Sequence, residues 1–258
     1  MENNTSRFSN RVEDYVKYRP HYPVEMITYL EQQSVLQPGM LLADIGSGTG
    51  ISAELFLRKG YTVLGVEPNR EMREKSEDLL QSYPHFNAID GTAEHTTIEK
   101  HCIDVIIAGQ AFHWFNQEAA RTEFERILKP EGYVVLIWNE RMMESPFEKA
   151  YEQLILRHGN QYKELNHRNI DIAVIEKFFH PAAVRLTEFT NKQVFDYNGL
   201  EGRLLSSSYM PPRDSAGYPA LAADLQQLFD QFQQNGYITI HYTTRMYWGQ
   251  FSPGNGNA

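Results

Sequence analysis

Seven residues, Asp44-Ile45-Gly46-Ser47-Gly48-Thr49-Gly50, have the types and spacing to hold a charged ligand. The apolar run Met40 to Ala43, with Ile45, leads into them, and Ile51, Ala53, Leu55 and Leu57 follow at helical spacing up to Gly60. The pattern predicts a strand buried on both faces, a glycine turn and a helix. Glycines let the chain turn sharply and let a ligand approach the backbone closely. Charge narrows the choice of ligand. Asp44 stands at the strand end, where it would repel a pyrophosphate on the helix N-terminus, and Ile51 fills the sixth position of GxGxxG, where a dinucleotide fingerprint wants Gly or Ala. A cation is welcome there through Coulomb attraction.

A second strand pattern, Tyr61, Val63, Leu64 and Val66, ends at Glu67. An acid about 20 residues beyond such a loop can accept hydrogen bonds from two ribose hydroxyls. Pro68 and Asn69 open another helix, with Asn69 as N-cap, Glu71 in the positive first turn and Met72 able to lay its soft side chain on an adenine face. S-adenosylmethionine carries a sulfonium and an ammonium, so an acid at the mouth of a glycine turn favours it.

Further candidates flank this unit. A helix over Arg11 to Tyr18, stopped by Arg19-Pro20, reads as a lid, with Arg19 clamping the cofactor carboxylate through a forked pair of bonds and Tyr18 and Tyr22 facing an acceptor. Gln110, His113 and Trp114 follow the fourth strand, where open α/β sheets bind ligands. Gln110 is a cofactor candidate, His113 the one candidate base, and Phe112 is assigned to packing. Arg141 after the fifth strand, and Arg203 and Tyr209 in the polar run before Pro211-Pro212, suit an anionic acceptor. His158, His167 and His180 lie in separate segments without ligand spacing, so no metal is expected.

The elements that must position these groups alternate. Strands are expected at His85 to Asp90, Ile103 to Ala108 and Tyr133 to Trp138, with a helix from Asn116 to Leu128 closed by the turn Lys129-Pro130-Glu131-Gly132. Such alternation implies a parallel, doubly wound sheet. Two helical patterns, Phe147 to Arg157 and Ile172 to Phe179, form an insertion around a His/Asn-rich loop. Val184 to Phe189 and Ile238 to Trp248 close the sheet around a helix from Tyr218 to Gln234, and the tail from Ser252 to Ala258 should be disordered.

A chain of 258 residues has material for one large α/β core with a small lid. The expected single domain has its core at about 36–140 and 183–251, with lid and substrate elements at about 1–35, 141–182 and 197–236. The net charge of −9 argues against a broad nucleic-acid face, and no apolar run reaches membrane-span length. The single cysteine, Cys102, and a polar N-terminus without a signal-peptide core point to a reducing, cytoplasmic setting.

DIGSGTG at 44–50, VEPNREM at 66–72, GTAEHT at 91–96, DVIIAGQAFHWF at 104–115 and LKPEGYVVLIWNE at 128–140 together resemble the class I S-adenosylmethionine-dependent methyltransferases. YVKYRPHYP at 15–23 and the AFHWF segment are similar to the small-molecule branch that includes trans-aconitate methyltransferase. The resemblance implies a Rossmann-like seven-stranded sheet, mostly parallel, whose antiparallel last strand slots beside the fifth. It also implies that Asp44, Gly46, Ser47, Gly48 and Gly50 flank the methionine moiety, that Glu67 takes the ribose, and that the loop of Thr92, Ala93 and Glu94 borders the adenine. Many relatives place Asp where this chain has Thr92, which leaves adenine recognition to backbone groups or Glu94. The implied activity is methyl transfer to a small molecule, with a carboxylate oxygen as the leading acceptor. N- or phenolic O-methylation, a non-catalytic S-adenosylmethionine-binding protein and an NAD(P)-dependent oxidoreductase are the alternatives.

Overall fold

The structure is a computed structural model that describes residues 16–160 and 172–252. Its strands are β1 (Leu41–Ile45), β2 (Thr62–Val66), β3 (Phe86–Ile89), β4 (Ile103–Gly109), β5 (Leu128–Arg141), β6 (Arg185–Phe195) and β7 (Ile238–Gly249). They form one sheet in the order β3-β2-β1-β4-β5-β7-β6. The first five are parallel, and β7 runs antiparallel to both β5 and β6. The helices are α1 (Glu25–Gln32), α2 (Ile51–Leu57), α3 (Arg70–Leu80), α4 (Gln117–Ile127), α5 (Pro146–His158), α6 (Ile172–Phe179), α7 (Tyr197–Leu205) and α8 (Tyr218–Phe232). The strand order reverses between β1 and β4, which makes their carboxyl ends the natural ligand position.

The chain divides into two compact units. The sheet unit comprises His21–Asn139, Ile170–Phe189 and Thr244–Ala258, and the helical unit comprises Met1–Pro20, Glu140–Asn169 and Thr190–Thr243.

Strand alternation builds the core of the sheet unit. Ile106 and Ala108 join Ala43, Val134 and Leu136 in one apolar cluster, while Val105 and Ile107 join Leu42, Val63, Val135 and Ile137 in the other. Successive side chains point to opposite faces, so an uninterrupted apolar run such as Val105 to Ala108 is buried twice. Phe112 packs edge-on against Phe115, Trp138 and Phe178, as its assignment to packing anticipates. In the helical unit Phe147, Tyr151, Leu154 and Ile155 bury one face of α5 with Leu221, Leu225 and Phe229 of α8.

Four elements depart from the sequence reading. Lys129-Pro130-Glu131-Gly132 is not a turn between elements but lies within β5. Ile103 pairs with Leu128 and Val105 with Tyr133, so the extra residues form a bulge, a place where a strand tolerates proline. β6 runs on to Phe195, because an edge strand carrying Asn191, Lys192 and Gln193 shows little apolar signal. α7 replaces part of the polar run: Asp196 accepts from the Gly199 amide at 2.7 Å and Leu200, Leu204 and Leu205 are buried, but Gly199 and Gly202 lower the helical signal. α1 went unassigned although Met26, Ile27 and Leu30 are buried at helical spacing. Of the expected helix over Arg11 to Tyr18, residues 16–18 are helical; the rest, the loop at 161–171 and the tail beyond 252 lie outside the described residues.

Candidate functional site

The expected strand, glycine turn and helix form in the sheet unit as β1, 46–50 and α2. Gly46 and Gly48 have φ of 70° and 56°, a region open to glycine at little cost. A Cβ on Gly46 would lie 2.6 Å from that of Ala111, so the bare backbone here permits close packing of the turn on the loop after β4. A Cβ on Gly48 would meet only the Met72 Sδ at 3.9 Å, leaving open space above the turn.

Asp44 has no exposed surface. Its Oδ2 accepts from the Ser52 hydroxyl at 2.6 Å, and the Ala53 amide also donates to the carboxylate, so the strand-end acid caps the first turn of α2. Burial pushes its pKa up to about 7 against those two bonds, and the neighbouring charge of Glu67 adds to the rise. With no exposed surface, Asp44 presents charge to the turn but no open face.

Glu67, at the end of β2, ties the turn to the next helix. Its Oε2 accepts from the Gly48 amide at 2.9 Å and its Oε1 from the Asn69 amide at 2.8 Å. Burial raises its pKa, offset in part by the Asn69 and Gly48 bonds and the Arg73 charge. Each carboxylate oxygen keeps a second lone pair for a ligand hydroxyl. Pro68 beside it is exposed. Asn69 caps α3 by accepting from the Met72 amide at 3.0 Å, as its position predicts, and this sets Met72 beside Gly48.

The loop after β3 adjoins the same strand end, since a Cβ on Gly91 would lie 3.1 Å from Val66. Thr92 is exposed and closes a tight turn with His95, Ala93 is buried, and the Glu94 carboxylate accepts from the Asn116 amide at 2.8 Å. Beyond β4, Gln110 holds a left-handed φ of 55°, fixed by its amide bonding to the Ile137 carbonyl and its side chain donating to the Asn139 carbonyl. Non-glycine residues at such angles cluster at functional sites. His113 and Trp114 are half-buried in a short 3-10 turn, their rings 4.8 Å apart. Tyr22 is buried against Gly109, where its hydroxyl would lie 2.6 Å from an added Cβ.

The other candidates belong to the helical unit. The Tyr18 ring lies on Gly202 and the Tyr18 carbonyl accepts from Gln193. Arg19 donates to the Ser206 carbonyl at 3.1 Å. Arg203 Nε donates to the Tyr242 hydroxyl at 3.1 Å, which in turn donates to Gln193 Oε1. Arg141 is ion-paired with Glu152 and lies over the Tyr151 ring. The charges of Arg203, Arg141 and Tyr209 all bear on the Tyr151 phenol. Glu152, Tyr151, Gln193 and Tyr242 were not foreseen, because they come from α5 and from strand segments whose spacing to Arg203 carries no sequence signal.

The residues around the glycine turn fit S-adenosylmethionine. Asp44 Oδ1, Ser47 Oγ and Thr49 Oγ1 are buried there without hydrogen-bond partners, a concentration of unmet polar groups that native folds avoid unless a ligand answers them. Two buried acids raised by burial are both relieved by an added positive charge. Thr49 was missed by the sequence reading, though it lies within the motif.

A family model described as a methyltransferase domain matches residues 43–136, which contain the turn, Glu67, Gln110 and His113. An uncharacterized methyltransferase of Schizosaccharomyces pombe is 28% identical over 149 residues, 57% of this chain and 58% of that protein. One of Oceanobacillus iheyensis is 31% identical over 156 residues, 58% of this chain and 67% of that protein. The chain thus spans 58% to 62% of the length of the first of its curated relatives. A solved structure described as a type II methyltransferase from Anaeromyxobacter dehalogenans superposes with a TM-score of 0.66 at 16% identity, covering 92% of this chain and 99% of that one. Family model, relatives and fold agree: the chain belongs to the class I S-adenosylmethionine-dependent methyltransferases.

Proposed function

We propose that this protein transfers a methyl group from S-adenosylmethionine to a carboxylate oxygen of a small molecule in a cytoplasmic setting. The observation that carries the cofactor assignment is the open glycine turn, joined by Glu67 to Asn69 at the start of α3 and surrounded by unmet polar atoms. When bound, S-adenosylmethionine supplies a methyl group already activated by a sulfonium. In this reading, within the sheet unit, Glu67 holds the ribose hydroxyls, Met72 and Pro68 line the adenine with Thr92, Ala93 and Glu94, and Gln110 holds the methionine end. Asp44 favours the positive charge from beneath the turn. Tyr22, His113 and Trp114 are the acceptor residues proposed in the sheet unit, and Tyr18, Arg141, Arg203 and Tyr209 those proposed in the helical unit.

A carboxylate acceptor is favoured because it arrives deprotonated at neutral pH and needs no general base. Asp44 is committed to Ser52 and Ala53, and Glu67 to two backbone amides, so neither is placed to remove a proton. The chain then supplies alignment and exclusion of water, effects that reach about 7 to 11 kcal/mol in favourable geometry. S-adenosylhomocysteine release over a panel of carboxylic acids, amines and phenols tests the reading. With a carboxylate acceptor and saturating cofactor, kcat is expected to stay flat from about pH 6 to 8, and His113→Asn to retain turnover within about tenfold. A loss of about a thousandfold in His113→Asn, with a rate rising through about pH 6.5, would instead assign N- or phenolic O-methylation. Cofactor binding without turnover on any acceptor would assign a binding protein.

A further inference from the structure

Among the described residues of the helical unit, two partly or wholly buried guanidiniums have one carboxylate partner between them. Arg141 is 7% exposed along its side chain and shares Glu152 as its carboxylate partner, yet its Nη1 is buried with no hydrogen-bond partner. Arg203 is partly buried. Its Nε bonds to Tyr242 at 3.1 Å, its Nη1 reaches Ser206 and Ser207 only at 3.4 and 3.5 Å, and among the described residues neither a carboxylate nor any partner for Nη2 accompanies it. A guanidinium has five donors and does not lose its proton. Buried ions of this kind are retained when a counter-charge meets them.

Three other described acids of this unit have partners of their own. Glu148 accepts from the Ser145 and Glu144 amides and from His241, Glu201 pairs with Arg213, and Asp224 pairs with Arg157 and His158. Arg141 lies with its guanidinium carbon 4.7 Å from the Tyr151 ring centre, and the charges of both arginines act on the Tyr151 phenol. Burial raises the Tyr151 pKa, so that phenol stays neutral and can donate. Arg141 is paired with Glu152, whereas Arg203 has no carboxylate among the described residues, and a single carboxylate would supply that counter-charge.

We infer that Arg203 and Arg141, with the Tyr151 hydroxyl, form a binding site for one carboxylate group of a small-molecule ligand. A carboxylate gripped by two guanidiniums has its lone pairs engaged and serves as a handle rather than as the atom that accepts a methyl group. The inference rests on the methyltransferase reading only in taking that ligand to be the acceptor; binding itself is measured without turnover.

The test is calorimetric titration of succinate, and separately of inorganic phosphate, into the full chain at constant ionic strength, with and without S-adenosylhomocysteine. Succinate is expected to bind saturably and phosphate about tenfold or more weakly. Arg203→Met and Arg203→Lys should each weaken succinate by about tenfold or more, the lysine variant because it keeps the charge but loses the fork, while S-adenosylhomocysteine affinity stays within about twofold. Arg141→Met combined with Glu152→Gln removes the second guanidinium without stranding a buried acid and should weaken succinate likewise. Folding of each variant is checked by its melting curve. Absence of saturable succinate binding to the wild type, tighter binding of phosphate than of succinate, or unchanged succinate affinity in folded Arg203 variants would overturn the site. Failure of the wild type to bind S-adenosylhomocysteine would strike the methyltransferase reading instead, and the titration without it still tests the arginine pair.

Discussion

Asp44 creates a proton linkage that can be measured without any acceptor. Burial moves its carboxyl from an ordinary value of 3.8 to about 7, although Ser52 and the Ala53 amide pull the other way. The folded state therefore holds this proton more tightly than the unfolded state does. The stability it contributes is complete below the unfolded pKa, is lost as the pH rises toward 7, and changes no further above that. Between pH 5 and 8 the loss amounts to about 2 to 3 kcal/mol. Asp44→Asn substitutes a neutral side chain of the same shape that can still accept from Ser52. Urea unfolding of both proteins across this range should show the wild type losing about 2 to 3 kcal/mol relative to Asp44→Asn, with a constant gap at higher pH. The linkage has a ligand counterpart: a cation near Asp44 favours its ionised form, so S-adenosylmethionine should bind the wild type more tightly as the pH rises through about 7, a dependence Asp44→Asn removes. A stability difference independent of pH would refute both parts, because it would mean that the buried carboxyl does not titrate differently in the folded state.

Other perturbations probe the same turn. Glu67→Gln sets an amide NH2 group against the Gly48 or Asn69 amide and removes the charge; it should weaken S-adenosylhomocysteine by about 2 to 3 kcal/mol in calorimetry while the circular dichroism spectrum is kept, and unchanged affinity would end the ribose assignment. Gly46→Ala meets both a φ of 70° and Ala111 at 2.6 Å, so a loss of about 1 to 3 kcal/mol is expected in denaturant unfolding, and an unshifted midpoint would show that the turn relaxes. Gly202→Ala would put a Cβ into the Tyr18 ring and should displace that tyrosine, read as a change in tyrosine fluorescence or near-ultraviolet dichroism; an unaltered spectrum would show that the ring is not packed there.

The parts of the fold read correctly from sequence are those where one local rule dominates. β1 and β4 are apolar on both faces, Asn69 and Asn116 sit where caps belong, and the glycine turn combines spacing with an acid at the strand end. The position of each acid at a strand end was legible because it follows from distance along the chain. Their bonding was not: Asp44 caps α2 and Glu67 holds the Gly48 and Asn69 amides, partners fixed only when the turn closes. α7 and the end of β6 escaped detection because glycines and edge-strand polar residues suppress the periodic signal. The strained backbone of Gln110 has no sequence signature, since its φ is imposed by bonds to Ile137 and Asn139 on the neighbouring strand. Arg141 and Arg203 could be named as cations, but that one shares Glu152 and the other has no carboxylate among the described residues depends on α5, α7 and β7 folding together.

The central claim is that the glycine turn between β1 and α2 takes S-adenosylmethionine, and a direct binding measurement tests it most simply. Thermal unfolding and calorimetric titration of the purified chain should be run with S-adenosylmethionine, S-adenosylhomocysteine, NAD and NADP. The two adenosyl ligands are expected to bind one per chain and, at about 100 times their dissociation constants, to add roughly 2.7 kcal/mol to stability, while the nicotinamide cofactors leave the transition where it was. Stabilisation by NADP alone, or a folded protein that binds neither adenosyl ligand, would contradict the account.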